Sequence, residues 1–462
     1  MSTQKIQIAI EKLESIIDPK RISTIQADLI QHACDQSSHR KRLPDLVVWP
    51  HTTTEISAIL YQANELCFPV TAWGAGTSIE GNPIPVQGGI VLDIGQMDKI
   101  VQIYETDFQI TVQPGVLYKD MNQVLARSGL FFAPDPGANA SIGGMIANNA
   151  AGSRTVKYGA TKDNVLALEV VLANGTVIRT GSRSIKQSSG YDLTHLFIGS
   201  EGTLGVVTEA TLKLAPLPEH FSAVIAAFPT VDKAAEVVFN IIGSGIEPAA
   251  LEFLDTTSIQ ILNIEGGFDL MLAPNLLMEF SGASETALRE ELALVEEICY
   301  EHDCQQFQPG VGREARNQLW RARHHLFESL VRHHPGFTHL LSDVAVPISQ
   351  YPVLVTAANQ FMLNLGIEGA LIGHAGDGNL HTVIFFDPDD LATRAKVEQF
   401  NDQLVEKAIA LGGTSTGEHG VGLGKQKYMQ QEHGSALDLM RQLKTTFDPN
   451  GILNPGKVLA ME

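Results

Sequence analysis

"LPDLVVWPHTTTEISAILYQANELCFPVTAWGAGTSIEGN", residues 43–82, is the stretch whose reading decides the fold. The apolar run from Leu46 to Trp49 reads as a buried strand, and Thr52 to Thr54 supply caps for the helix that follows. A second strand ends at Trp73 and runs directly into a glycine-rich loop. The unit is therefore strand, helix, strand, loop. That loop is neither common nucleotide fingerprint, because Ile79 stands where G-x-G-x-x-G needs its third glycine and no G-K-[ST] follows. It still offers a run of backbone N–H groups around Gly74, Gly76 and Gly81, with the Thr77 and Ser78 hydroxyls beside them. Such a nest cradles a pyrophosphate without cationic side chains. Alone, the loop reads equally well as a tight structural turn.

Further strands follow in "GGIVLDIG", "QITVQPG" and "VLALEVVLANGTVI", the last carrying the hairpin signal Asn174-Gly175. The pattern changes at Pro216-Leu217-Pro218, beyond which amphipathic helices such as 231–242 and 285–301 alternate with short strands such as "LLMEFSG" and "GALIGHAG". These shifts divide the chain into an N-terminal helical segment (1–41), a first domain (42–218), a second domain (219–415) and a tail (416–462) whose proline and glycine turns fold back on the first domain. The class is α+β, with two lobes.

A length of 462 residues is ample for two cores, and the mixed composition is that of a folded protein. The formal net charge of -20, with no basic run longer than His39 to Arg42, argues against nucleic acid as a partner. A small anionic substrate stays possible if the site brings its own positive charge. The four cysteines form no C-x-x-C pair and are too sparse for a disulfide framework, which favours a reducing compartment. No signal peptide or spanning helix is visible, so the expectation is a cytoplasmic protein, with peripheral membrane attachment compatible with the same composition.

Two more loops in the first domain are rich in small residues: "PDPGANASIGGMIANNAAGSRTVKYG" (134–159) and "GSEGTLGVVTEATLKL" (199–214). Three such loops in one lobe favour close backbone approach to a large flat ligand over three unrelated turns.

In the second domain, "GHAGDGNLH" (373–381) holds His374 and His381, separated by an odd number of positions. On one regular strand they would face opposite sides. Shared ligation requires a bend, and Gly376-Asp377-Gly378 allows one. Spacing alone leaves two readings open: packed histidines beside a loop, or a pair of metal ligands. "STGEHGVG" (415–422) adds Glu418 as a third candidate ligand and His419 beside it. Two histidines and a carboxylate suit Zn²⁺ or Mn²⁺, ahead of Fe²⁺. Arg321 and Arg323 lie two residues apart on a predicted helix, so they cannot share a face.

The motifs "GAGTSIEGN", "DPGANASIGGMIANNAAG", "VKYGATKDNV", "GSEGTLGVVTEATLKL", "GHAGDGNLH", "STGEHGVGLGK" and "DPNGILNPGK", in this order over roughly residues 42–460, resemble those of a known family. It is the FAD-linked oxidases and dehydrogenases of the vanillyl-alcohol-oxidase type, in particular their D-lactate dehydrogenase branch. The resemblance implies a PCMH-type FAD-binding domain and a C-terminal cap domain built on an antiparallel sheet with helices. It implies FAD, expected to be held non-covalently, with Trp73, Gly74, Ala75, Gly76, Thr77, Ser78, Gly81 and Asn82 around the pyrophosphate. Pro136, Gly137, Ser141, Ile142, Gly144, Asn148, Ala151, Gly152, Tyr158 and Gly159 would run along the rest of the cofactor. Glu201, Gly202, Gly205, Val206 and, from the tail, Asn454 would complete the cofactor site.

The resemblance further implies a divalent metal on His374, His381 and Glu418, with His419 as the base, Arg323 as the carboxylate clamp and Asn379 helping to hold that carboxylate. Asp377 is a candidate for orienting a ligating histidine. In hydroxyglutarate-oxidising relatives a Thr and a Lys meet a second carboxylate, whereas the matching positions here are Phe327 and Leu341. An apolar wall leaves such a carboxylate unpaired. The expectation is oxidation of a D-2-hydroxy monocarboxylate such as D-lactate, with glycolate or D-2-hydroxyglutarate as alternatives and a non-catalytic flavoprotein subunit as the rival from another class. Electrons would pass to an acceptor other than NAD, such as a quinone, a cytochrome or an electron-transfer protein.

Overall fold

The computed structural model describes residues 3–460. The chain divides into two compact units, the first made of Met1–Ala151, Gly159–Leu217 and Glu418–Glu462 and the second of Gly152–Tyr158 and Pro218–Gly417.

In the first unit, strands Leu46–Val48 and Val70–Trp73 both pair parallel with Ile90–Asp93 between them, which places the Thr53–Glu65 helix as the crossover of a βαβ unit. Thr52 caps that helix, its hydroxyl accepting the Glu55 N–H. The helix presents Ile56, Ile59, Leu60 and Ala63 at helical spacing to the sheet. The Thr3–Glu14 helix joins the same core through Ala9 and Leu13, so the N-terminal segment packs as part of this unit. Ile452 and Leu453 of the tail are buried there too, and Leu453 bridges Val70 in parallel.

A second sheet of this unit is five-stranded and antiparallel, in the order Ile100–Tyr104, Gln109–Val112, Val206–Lys213, Val165–Val171, Val177–Gly181. The Asn174-Gly175 turn closes its last hairpin, with Gly175 at φ +81°. Ile142 and Phe197 pack against this sheet's inner face.

The second unit is built on one seven-stranded, wholly antiparallel sheet. Its order is Gln306–Val311, His220–Ala227, Asn275–Gly282, Ala250–Leu254, Gly369–His374, Asn379–Phe386, Thr338–Ala345. Helices Val231–Gly243 and Glu285–Glu301 fall where the 3.6-residue apolar period placed them. The long helix Arg313–His333 lays Trp320, Ala322, Leu326 and Leu330 onto one sheet face, against Leu277, Ala370, Ile372 and Val383. The short piece Gly152–Tyr158, expected within the first domain, clusters with this unit. Lys157 is the physical reason, since its ammonium donates to both the carbonyl and the hydroxyl of Ser281.

All four cysteines are free. Among the described residues, no helix is long and apolar enough to cross a membrane.

Candidate active site

The loop that follows the edge strand Val70–Trp73 borders a cleft lined by Gly74 to Ser78, Asn82, Pro136, Ser141, Gly144, Asn148, Glu201, Gly202 and Asn454. Gly74 is needed because a Cβ there would be driven into the Ser141 hydroxyl. Glu418 and His419 line the same cleft.

Two anchors shape this wall. Glu201, in a left-handed conformation (φ +52°), turns its buried carboxylate onto the N–H groups of Val421 at 2.6 Å and Gly422 at 3.0 Å. Burial pushes that carboxyl above the ordinary range, and the two backbone N–H groups counter the rise. Asn454 donates to the carbonyls of Asn82 (3.0 Å) and Glu201 (2.7 Å), tying tail, first loop and third loop together. Asn148 donates to the His419 carbonyl at 3.2 Å. Glu201, Asn454 and Asn148 thus hold the cleft's backbone as well as bordering it.

Not every expected cofactor residue reaches the cleft. Trp73 lies beneath the loop, buried edge-on against His32. Ile142 and Val206 are buried in the hydrophobic cores, and Gly205 sits tightly against Val170, so these positions build the scaffold. Gly81, Gly137, Ala151 and Gly159 are outside the lining, while Gly152 and Tyr158 belong to the second unit. Reading missed Ala72, Ile79, Pro83, Ala138, Ala140, Met145, Ala147 and Ala150 in the lining. For Ala138, Ala140, Ala147 and Ala150 the signal was the density of alanines in "GANASIGGMIANNAAG".

In the second unit, His374 ends one strand and His381 is the third residue of the next, with a 3₁₀ turn over Ala375–Asp377 and Gly378 at φ +77° between them. The register sets Ile372 opposite His381 and His374 opposite Asn379. Residues paired across antiparallel strands share a face, as do alternate residues of one strand. His374 and His381 therefore point to the same side despite their odd spacing. Their rings lie 5.0 Å apart between centroids, and a ring nitrogen of each comes within 4.8 Å of the other.

The register also puts Glu252 opposite His374 and Asp343 opposite His381, on the same face. Four adjacent strands thus contribute one row of ionisable side chains. Glu252 is fully buried, accepting from His374 Nδ1 at 2.6 Å and from Arg323 Nε at 2.5 Å. Burial alone would raise its pKa, but the hydrogen bonds from His374 and Arg323 and the guanidinium charge outweigh that and hold it down to about 2. Asp343, also fully buried, lies 3.6 Å from His381 Nδ1 and accepts from the Gly417 N–H at 2.7 Å and the Thr416 hydroxyl at 2.9 Å.

Asn379 donates one amide hydrogen to Asp343 at 2.7 Å and the other to the Val344 carbonyl at 2.8 Å. With both hydrogens used, its side chain can meet a substrate only through the carbonyl oxygen, which suits a hydroxyl better than a carboxylate. Arg321 is exposed, on the side of its helix away from Arg323. His334 stacks on Phe385, and Phe327 meets His339 edge-on. Glu252 and Asp343 are carboxylates that lie beside the two imidazoles. Sequence reading missed Glu252, although a glutamate inside the apolar strand "ALEFL" is itself a signal of a buried charge partner.

The first unit's glycine-lined cleft and α+β scaffold, with a second unit on an antiparallel sheet, define a flavoprotein of the PCMH type. Residues 44–181 match the family model described as an FAD binding domain, and residues 217–458 match that of the FAD linked oxidases, C-terminal domain. The chain belongs to the FAD-linked oxidases, and FAD is its cofactor. It is 38% identical over 463 residues to the probable mitochondrial D-lactate dehydrogenase of Danio rerio, covering 99% of this chain and 93% of that one. It is 40% identical over 457 residues to the glycolate oxidase subunit GlcD of Bacillus subtilis, covering 98% and 97%. The solved structure of p-cresol methylhydroxylase with substrate bound shares the fold, with a TM-score of 0.79, 18% identity and coverage of 100% and 98%.

Proposed function

We propose that this enzyme oxidises a D-2-hydroxy monocarboxylate, D-lactate foremost, to the 2-oxo acid with FAD as the immediate oxidant. The observation that carries the reading is the convergence of His374, His381 and the Glu252-held Arg323 on one face of a sheet. An anion anchor beside a pair of imidazoles suits a carboxylate next to a hydroxyl. The FAD isoalloxazine, when bound, supplies the two-electron acceptor for the hydride leaving the α-carbon. A divalent metal on His374, His381 and Glu418, with Zn²⁺ or Mn²⁺ the suitable ions, would supply a Lewis acid for the hydroxyl oxygen.

The donor types suit such an ion: two imidazoles, each with a carboxylate beside its Nδ1, and the Glu418 carboxylate. Gly417, just before Glu418, is held by Asp343, the carboxylate beside His381. Arg323 pairs with the substrate carboxylate through the Nη1–Nη2 edge, which its Nε bond to Glu252 turns away from the glutamate. His419, on the wall of the cofactor cleft, takes the hydroxyl proton. One proton and one hydride leave the substrate, so the 2-oxo acid and two-electron-reduced flavin balance. The electrons then go on to an acceptor such as a quinone, a cytochrome or an electron-transfer protein.

Phe327 and Leu341 support a monocarboxylate over a dicarboxylate, because neither side chain can pair a second negative charge. Measured kcat/KM should rank D-lactate and D-2-hydroxybutyrate above D-2-hydroxyglutarate by at least about tenfold. Glycolate, lacking the methyl group, should fall below D-lactate. A panel in which D-2-hydroxyglutarate leads would overturn the substrate assignment.

A further inference from the structure

The geometry points to Glu252 as a positioning residue that fixes, with one carboxylate, both the tautomer of His374 and the orientation of Arg323, and so couples metal binding to substrate-carboxylate binding. The inference rests on the proposed function and assigns to it a residue that touches neither ligand.

Glu252 sits in the middle of Ala250–Leu254, a strand in which every residue is buried, and its own exposure is 0%. Such a charge costs several kcal/mol to desolvate and, even when paired, adds little stability over an apolar residue of its size. Its placement therefore calls for a reason beyond packing. The two oxygens divide their partners: Oε1 takes His374 Nδ1 at 2.6 Å and Oε2 takes Arg323 Nε at 2.5 Å. Ser153 Oγ also approaches Nδ1, at 3.5 Å, but a single ring proton goes to the closer carboxylate.

With the proton on Nδ1, the ring's lone pair is on Nε2, the form in which a histidine ligates through that nitrogen. On the other side, a guanidinium gripped at Nε is fixed in plane and presents its Nη1–Nη2 edge as a two-pronged donor. A shift of Glu252 toward one partner moves it away from the other. The neighbouring strand provides a contrast, since Glu279 there also holds an arginine, Arg316 at 2.9 Å, but its second partner is the Trp320 indole and no histidine.

The test uses FAD-loaded protein and two readouts at equilibrium, neither of which needs turnover. Zn²⁺ and Mn²⁺ affinities come from chelator competition, and propanoate, a monocarboxylate with no hydroxyl to oxidise, is titrated by its perturbation of the flavin spectrum in metal-free protein. In Glu252→Gln, which keeps the shape but loses the charge, metal affinity should fall about 10- to 100-fold. Propanoate affinity should fall about tenfold, the order of one charge-assisted hydrogen bond. A Gln variant that retains both affinities overturns the inference.

If Glu252→Gln fails to fold with FAD, Glu252→Asp decides. Its carboxylate is one methylene shorter and cannot reach both partners, so at least one of the two affinities should drop about tenfold. Retention of both by the Asp variant overturns the inference. Wild-type protein that binds neither metal nor propanoate would instead defeat the proposed function itself, so the two failures are distinct.

Discussion

Replacing His419 with alanine should lower kcat for D-lactate by about 10²- to 10⁴-fold, the usual contribution of a positioned general base. His419 borders the same cleft as Gly74 to Ser78. Its backbone is fixed independently of its ring: the carbonyl accepts from Asn148, and Glu201 holds the N–H groups of Val421 and Gly422 just beyond it. Removing the ring should therefore leave FAD content, melting temperature and KM close to wild type while the chemical step slows. A kcat loss confined to the flavin-reduction phase of a stopped-flow trace is the expected signature. Full turnover by the alanine variant, with FAD and metal retained, would remove the base from His419.

The second large effect concerns the bend between the two histidines. Gly378 has φ +77°, and a Cβ built on it runs into the Val346 carbonyl oxygen. Gly366, in the same unit, has a similar φ of +61° with nothing within 4 Å of the added atom. Both alanine variants carry the left-handed strain of about 1 kcal/mol or more. Only Gly378→Ala must also push the backbone aside, in the turn that sets the register of His381 against Ile372. Gly366→Ala should thus lose a few degrees of melting temperature and keep its activity. Gly378→Ala should lose stability by at least twice as much, with metal content and activity falling together. Equal behaviour of the two variants in thermal denaturation and metal analysis would contradict this account of the hairpin.

That hairpin shows how far a sequence can be read. Odd spacing and the Gly-Asp-Gly run were enough to call for a bend, because the face alternation of strands and the freedom of glycine are local rules. The βαβ unit, the Asn174-Gly175 hairpin and the helices at Val231–Gly243 and Glu285–Glu301 were legible for the same reason. Glu252 was not, since it meets His374 from 122 positions away, and only strand pairing decides which buried side chains face each other. Asp343 and Asn379 pair across 36 positions, and that contact changes the role open to the Asn379 amide. The cofactor loops were legible as loops, but which residues would line the cleft depended on packing, and Ile142 and Val206 went to the cores instead. Lys157 likewise drew Gly152–Tyr158 to the second unit through Ser281, a partner no local pattern announces.

Anaerobic addition of D-lactate to the purified, FAD- and metal-loaded enzyme tests the central claim most directly. The account predicts rapid bleaching of the oxidised flavin absorbance, one pyruvate formed per flavin, and no bleaching by L-lactate over the same interval. Flavin that stays oxidised with D-lactate, D-2-hydroxybutyrate and glycolate alike would contradict it.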